Sequence, residues 1–235
     1  GITFNYIEPF NEPDGGWWKA NGNQEGCYFA NDDQIKMIRE LYAKLSDKGL
    51  LSYCQITAND ANNLDNGLNS FLAYKTSGDI LEKIPLISVH TYGGNRRSDL
   101  ANFAKNNNKK LWQSESGPIG VGGTTEHNIM VMSDRIITDI RDLKCTAWND
   151  WQIGGYSLVD AWGLIAGSLT DPLAPLLKGI GFYIRSQYSR YVKAGYTIID
   201  NNAGNVLTAI SPDQKELVIV ISNQQTYTQK YKFDL

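Results

Sequence analysis

The first 150 residues alternate short β-branched runs with longer helical patterns, and this alternation limits the chain to few folds. Strands are expected at residues 2–8, 50–56, 86–90, 110–113 and 145–148. Between them, residues 32–48 repeat Ile35, Ile38, Leu41 or Tyr42, and Leu45 at three- and four-residue spacing, and residues 63–74, 98–106 and 126–143 read alike. Asn31 or Asp32 is placed to cap the first helix and Gly49 to end it. Strand and helix in strict turn predict βα units around a parallel sheet.

Two stretches interrupt the rhythm, residues 13–30 and 152–175, and each follows a strand. Connections of that length are uncommon unless they carry function. After a last helical segment at about 176–191, the pattern changes to short runs at 196–200, 206–211, 217–222 and 227–233, separated by Asn-, Gly- and Pro-rich turns. These read as antiparallel strands, so a boundary is expected near residue 192. The two domains are residues 1–191, a partial barrel, and 192–235, a small β-sandwich.

With 235 residues, 42% of them hydrophobic and 20% charged, the chain can bury a sizeable core. A net charge of −3 with scattered lysines and arginines leaves no basic stripe for nucleic acid. No apolar run is long enough to span a membrane, and the start does not read as a signal peptide. Cys27, Cys54 and Cys145 form no CxxC pair and read as buried thiols.

The chemistry concentrates at strand ends. Glu12 lies in Asn11-Glu12-Pro13, where proline removes a backbone donor and turns the chain at the glutamate. Glu115 closes Leu111-Trp112-Gln113-Ser114-Glu115. Two carboxyl groups brought about 5–5.5 Å apart can cleave a glycosidic bond with retention, one protonating the leaving oxygen and one attacking the anomeric carbon. A (β/α) barrel gathers such residues from the carboxyl ends of different strands. His90 and Tyr92 share strand parity and end the preceding strand, placed to orient a carboxylate and keep it ionised. Trp148 and Trp151 end the next strand, and Trp17 and Trp18 sit in the first long loop; indole faces stack on sugar rings. Glu8 shares the parity of Glu12 but lies about 13 Å down the strand, where burial is expected. The only other histidine, His127, falls in a helical run, so no histidine metal cluster is expected and no cofactor is called for.

Tyr6-Ile7-Glu8-Pro9-Phe10-Asn11-Glu12-Pro13, His90-Thr91-Tyr92, Leu111 to Glu115 and Ala147-Trp148-Asn149-Asp150-Trp151-Gln152, in this order and ahead of a small β domain, resemble glycoside hydrolase family 30. That resemblance implies a retaining (β/α)8 glycosidase whose acid/base follows an asparagine on the fourth barrel strand and whose nucleophile ends the seventh. Glu12 is then the acid/base, Glu115 the nucleophile, and Asn11 the partner of the sugar 2-hydroxyl; Tyr92 falls on the sixth strand and Trp148 on the eighth. Gly15-Gly16-Trp17-Trp18 and Gln24-Glu25-Gly26-Cys27 resemble the endo-β-1,6-galactanase branch.

Five strands cannot close an eight-stranded barrel, so the chain is expected to be the C-terminal half of a (β/α)8 TIM barrel followed by a small antiparallel β-sandwich side domain. The resemblance further implies an extracellular enzyme acting on a polysaccharide or oligosaccharide, monomeric when complete. Three alternatives stand beside it. One is another branch of the family, acting as glucuronoxylanase, β-1,6-glucanase or glucosylceramidase. Another is a non-catalytic carbohydrate-binding fragment. The third is an open flavodoxin-like domain with Gly120–Gly123 as a weak phosphate-cradling match.

Overall fold

The computed structural model describes every residue except Asn23, Glu25, Leu235 and residues 119–124, 156–161 and 169, together with the side chains of 125–129. Gly120–Gly123, Glu25, part of the second long stretch and the His127 side chain thus lie outside the described residues. Contacts divide the chain into two compact units, Gly1–Ser116 with Asp142–Asp150, and Gly117–Arg141 with Trp151–Leu235.

The first unit is a five-stranded sheet whose spatial order is its chain order: β1 (Tyr6–Ile7), β2 (Gln55–Ala61), β3 (Leu86–His90), β4 (Lys110–Ser116) and β5 (Trp148–Asp150). All four pairings are parallel. Sequential parallel strands joined by helices form a curled half-barrel, as the alternating pattern requires. The helices of this unit are α1 (Asn31–Asp47), α2 (Leu64–Thr76), the single turn α3 (Ile80–Lys83) and α4 (Arg97–Asn106).

α1 buries Ile35, Ile38 and Leu45, the stripe seen in the sequence, and Gly49 follows it at φ +66°. The expected cap does not form: Ala30 occupies the N-cap position, and Asn31 accepts a hydrogen bond from Ser70 Oγ at 2.8 Å instead. α2 is capped by Asn63, whose side chain accepts from the backbone of Asp65 and Asn66, a contact typically worth about 1 kcal/mol. Its inner face meets the strands through Leu64, Leu68, Phe71 and Tyr74, each at most 2% exposed. Burying a side chain of this size stabilises by roughly 1.5–3 kcal/mol, so the sheet's outer layer is held mainly by these contacts.

Four strands differ from their expected bounds: β1 is confined to Tyr6–Ile7 of the expected 2–8, β4 runs past residue 113 to Ser116, and β2 and β5 are displaced. Residues 51–53 form a turn, and β2 begins at Gln55 and continues to Ala61. The Asn59-Asp60-Ala61 end looks like a loop by composition, yet its polar side chains are paired within the unit: Asn59 donates to Gln34 Oε1 of α1 at 3.1 Å, and Asp60 accepts from Ser114. β5 likewise starts at Trp148, where the expected strand ends.

The second unit contains α5 (Thr125–Thr138) and α6 (Ile180–Ser189); a π-helical turn (Asp139–Leu143) follows α5, and its last two residues belong to the first unit. Ser133 and Tyr188 are hydrogen-bonded at 2.7 Å between α5 and α6. Three two-residue strands absent from the sequence reading, β6 (Gly154–Gly155), β7 (Ile165–Ala166) and β8 (Leu177–Lys178), form a small sheet. An antiparallel sheet in the order β11-β10-β9 follows, from β9 (Thr197–Ile199), β10 (Val206–Ile210) and β11 (Leu217–Ile221). The fourth expected strand, 227–233, is not a strand. Side-chain bonds hold that segment instead: Tyr231 donates to Gln229 Oε1 at 2.5 Å and accepts from Asn205 Nδ2 at 2.8 Å. Among the described residues no helix is long and apolar enough to cross a membrane.

Candidate active site

Glu12 lies five residues beyond β1, and three backbone bonds fix it there. Its N–H donates to the Asp60 carbonyl at 2.8 Å, while its own carbonyl accepts from Gly15 N at 2.9 Å and from Trp18 Nε1 at 2.7 Å. Both Glu12 (φ +47°) and Asp60 (φ +50°) adopt the left-handed conformation that side chains other than glycine rarely take. Such strain persists where the surrounding bonds over-determine it, and it collects at functional sites. Asp60 sits at an irregularity in β2, where the pairing with β3 shifts between Asn59 and Ala61.

The side chains converge from four elements. His90, fully buried at the end of β3, puts Nδ1 3.2 Å from Glu12 Oε1 and 3.7 Å from Glu115 Oε1, and Nε2 3.9 Å from Asp60 Oδ2. Ligating atoms of Glu12, His90 and Glu115 all fall within 4.8 Å of one another. Asn62 donates to Glu12 Oε1 at 2.7 Å, Tyr92 to Glu115 Oε1 at 3.0 Å, and Ser114 to Asp60 Oδ1 at 2.5 Å.

Burial alone would discharge the imidazole, yet the hydrogen bonds it donates to Asp60 and Glu12 and the charges of Asp60 and Glu115 raise His90 to about 9. The ring is a cation at neutral pH. Burial acts against ionising Glu12 too, but its bonds to His90 and Asn62 outweigh it and hold the carboxyl below its usual range. At Glu115 burial wins over His90 and Tyr92, and the carboxyl is raised. Glu8 is pushed well above the carboxylate range by burial and by the charge of Asp60; its Oε2 accepts from Ser88 at 2.7 Å. Glu12, His90 and Glu115 have the spacing of a metal site. A metal ion there would first have to displace the imidazole proton.

Of the residues singled out in the sequence, Glu12, His90, Tyr92 and Glu115 are brought together. Trp148 is buried in β5 opposite Gln113, next to the strand that carries Glu115. Asn11 is exposed beside Glu12. Trp17 is 45% exposed, and Trp18 is partly buried above the Glu12 carbonyl. Trp151 belongs to the second unit and is 46% exposed. Asp60 and Asn62 were not singled out. The signal available was the polar run from Asn59 to Asn63, dense in groups that bind carboxylates and cations.

A curled parallel sheet with two carboxylates meeting at the carboxyl ends of its strands is the site architecture of (β/α)-barrel enzymes. Residues 1–151 match the model of O-glycosyl hydrolase family 30, and the chain belongs to that family. Over its whole length it is 32% identical to an endo-β-1,6-galactanase of Hypocrea rufa, of which it spans 46%. Its fold matches the catalytic domain of a family 30 xylanase C from Talaromyces cellulolyticus with a TM-score of 0.69 at 16% identity, covering 92% of this chain and 48% of that one. An endo-β-1,6-glucanase matches with a TM-score of 0.65 at 18% identity, covering 88% of this chain and 49% of that one. The chain thus spans about half the length of the relatives it resembles.

Proposed function

We propose that this chain carries the catalytic pair of a retaining, endo-acting, extracellular glycoside hydrolase that cleaves β-1,6-galactan by double displacement. The observation that carries the reading is the separation of the Glu12 and Glu115 oxygens, within 4.8 Å. This suits direct attack on the anomeric carbon and leaves no room for the interposed water that inversion needs. The sugar is taken from the galactanase relative. The β-sandwich of residues 192–235 belongs to the same proposal, with β9, β10 and β11 as one of its sheets.

In the first step Glu115 attacks the anomeric carbon as Glu12 gives its proton to the leaving oxygen, forming a glycosyl ester. In the second, Glu12 takes a proton from water, whose oxygen displaces Glu115. Tyr92 and His90 steady the negative charge on Glu115, and Asn11 faces the 2-hydroxyl. Trp148, on the strand next to the one that carries Glu115, provides a further sugar contact.

The ligand-free titration directions favour a second reading in which the roles are exchanged, since Glu12 is the more readily ionised carboxyl. Azide rescue on an activated aryl β-galactobioside separates the two. The proposed roles require an α-glycosyl azide from Glu115→Gly and a β-glycosyl azide from Glu12→Gly. The opposite pattern exchanges the roles, and rescue of neither variant by an otherwise active chain removes both readings. A carbohydrate-binding protein without catalysis predicts galactan binding with no new reducing ends from the unaltered chain.

A further inference from the structure

Trp17 and Trp18 are adjacent in sequence, but their surroundings differ. Trp18 is clamped from two sides: a Cβ on Gly26 would lie 2.5 Å from its ring atoms, and one on Gly15 would lie 2.8 Å from its Nε1. Only glycine lets the backbone approach an indole so closely. The same Nε1 donates to the Glu12 carbonyl. Trp17 packs against Trp18 with ring centroids 5.8 Å apart, and it leaves 45% of its surface open.

The loop that holds them is tied at both ends. Phe29 N donates to the Pro13 carbonyl at 2.9 Å, closing the neck, and Gln34 of α1 donates to the Phe29 carbonyl at 2.8 Å. Asp14 accepts from Asn62 N at 2.9 Å and from Asn66 Nδ2 at 2.6 Å. Between these anchors lies a groove of about 670 Å³, lined by Trp18, Lys19, Gln24, Cys27 and Tyr28 among others. Tyr28 is 59% exposed. Aromatic faces beside amide and ammonium donors suit a pyranose, which offers flat C–H faces and a rim of hydroxyl acceptors.

We propose that this loop is a preformed subsite for a further neutral sugar unit of the glycan, with Tyr28 in the groove and the open face of Trp17, packed on the groove residue Trp18, as its stacking faces, and with Trp18 as a positioning residue that couples it to Glu12. The assignment rests on the glycosidase reading for its ligand class. Trp18 is spent on packing and on the Glu12 carbonyl, so its loss acts on Glu12. Loss of Trp17 acts on the sugar.

Affinity electrophoresis of the full chain through gels containing β-1,6-galactan reads the subsite without any need for turnover. Trp17→Ala is expected to weaken retention about tenfold, the upper range for one stacked ring. Tyr53→Ala, an exposed aromatic on another part of the unit, is expected to leave retention unchanged. Equal retention of the unaltered chain and Trp17→Ala overturns the subsite, as does no retention at all. Kinetics then test the coupling: Trp18→Phe keeps the ring but loses the donor, and it should lower kcat several-fold at unchanged KM and shift the pH profile. Trp17→Ala should instead lower the preference for long over short galactosides. If Trp18→Phe alters KM alone, Trp18 is a sugar contact and the coupling is wrong. A chain that hydrolyses nothing yet shows Trp17-dependent retention refutes the enzyme reading and leaves the subsite standing.

Discussion

β3 and β11 are both five-residue strands, and they use opposite means to stay in their sheets. β3, Leu-Ile-Ser-Val-His, is buried at every position although two of its residues are polar. β11, Leu-Val-Ile-Val-Ile, is wholly apolar, yet it lies at the edge of its sheet and buries none of its residues fully. Hydrophobicity alone would rank them the wrong way round. The buried strand tolerates Ser88 and His90 because each has partners, Glu8 and Thr57 for the first and the three carboxylates for the second. A polar residue inside a central strand therefore marks where the sheet is committed to chemistry. An apolar edge strand has spent nothing on specificity.

The sharpest way to break this contrast is to remove charge at the committed end. Glu115→Gln should lower kcat on β-1,6-galactan by at least about 10³-fold while far-UV circular dichroism stays unchanged. Near-normal turnover would remove Glu115 from the chemistry.

His90→Gln comes next, with an expected loss of about 10²-fold. Without the cation both Glu12 and Glu115 should titrate higher, moving both limbs of the kcat/KM profile toward alkaline pH. A shift in the other direction contradicts the arrangement. Stability gives an independent check. The folded value of His90, about 9, lies above its ordinary 6.5. Its contribution is thus fully present below about pH 6.5 and is lost as pH rises through about 9. The difference in urea midpoint between the unaltered chain and His90→Gln should shrink across that window.

Two quieter substitutions compare the strands directly. Ser88→Ala leaves the Glu8 carboxyl without its side-chain donor and should cost about 1–3 kcal/mol in urea unfolding. Val218→Thr on half-exposed β11 should stay within about 0.5 kcal/mol. Equal costs would mean that burial and pairing do not set the difference.

The same contrast explains what the sequence disclosed. β3 was bounded correctly because apolar residues hold three of its five positions between clear helices, and α1, α2 and α4 came from their periodicity. β2 was displaced toward its apolar start because its functional end, Asn59 and Asp60, has the composition of a turn. Asp60 was missed for that reason: its importance lies in a left-handed backbone and in reach to His90, neither of which a linear pattern displays. The pairs at β6, β7 and β8 were also hidden, since two residues carry no period. Glu12, His90, Tyr92 and Glu115 were visible because each follows an apolar run and stands out chemically from it.

The closed neck between Pro13 and Phe29 has an evolutionary consequence. Pro13 and Phe29 meet at nearly one point, so the length of the excursion between them can change without moving any strand, provided that Asp14 keeps its bonds to Asn62 and Asn66. A new specificity could be acquired by replacing that excursion as a cassette. The cassette is not independent of the reagent next to it, however, because Trp18 holds the Glu12 carbonyl from within the loop. Grafts that preserve the neck but omit an indole at that place should bind new glycans more readily than they cleave them.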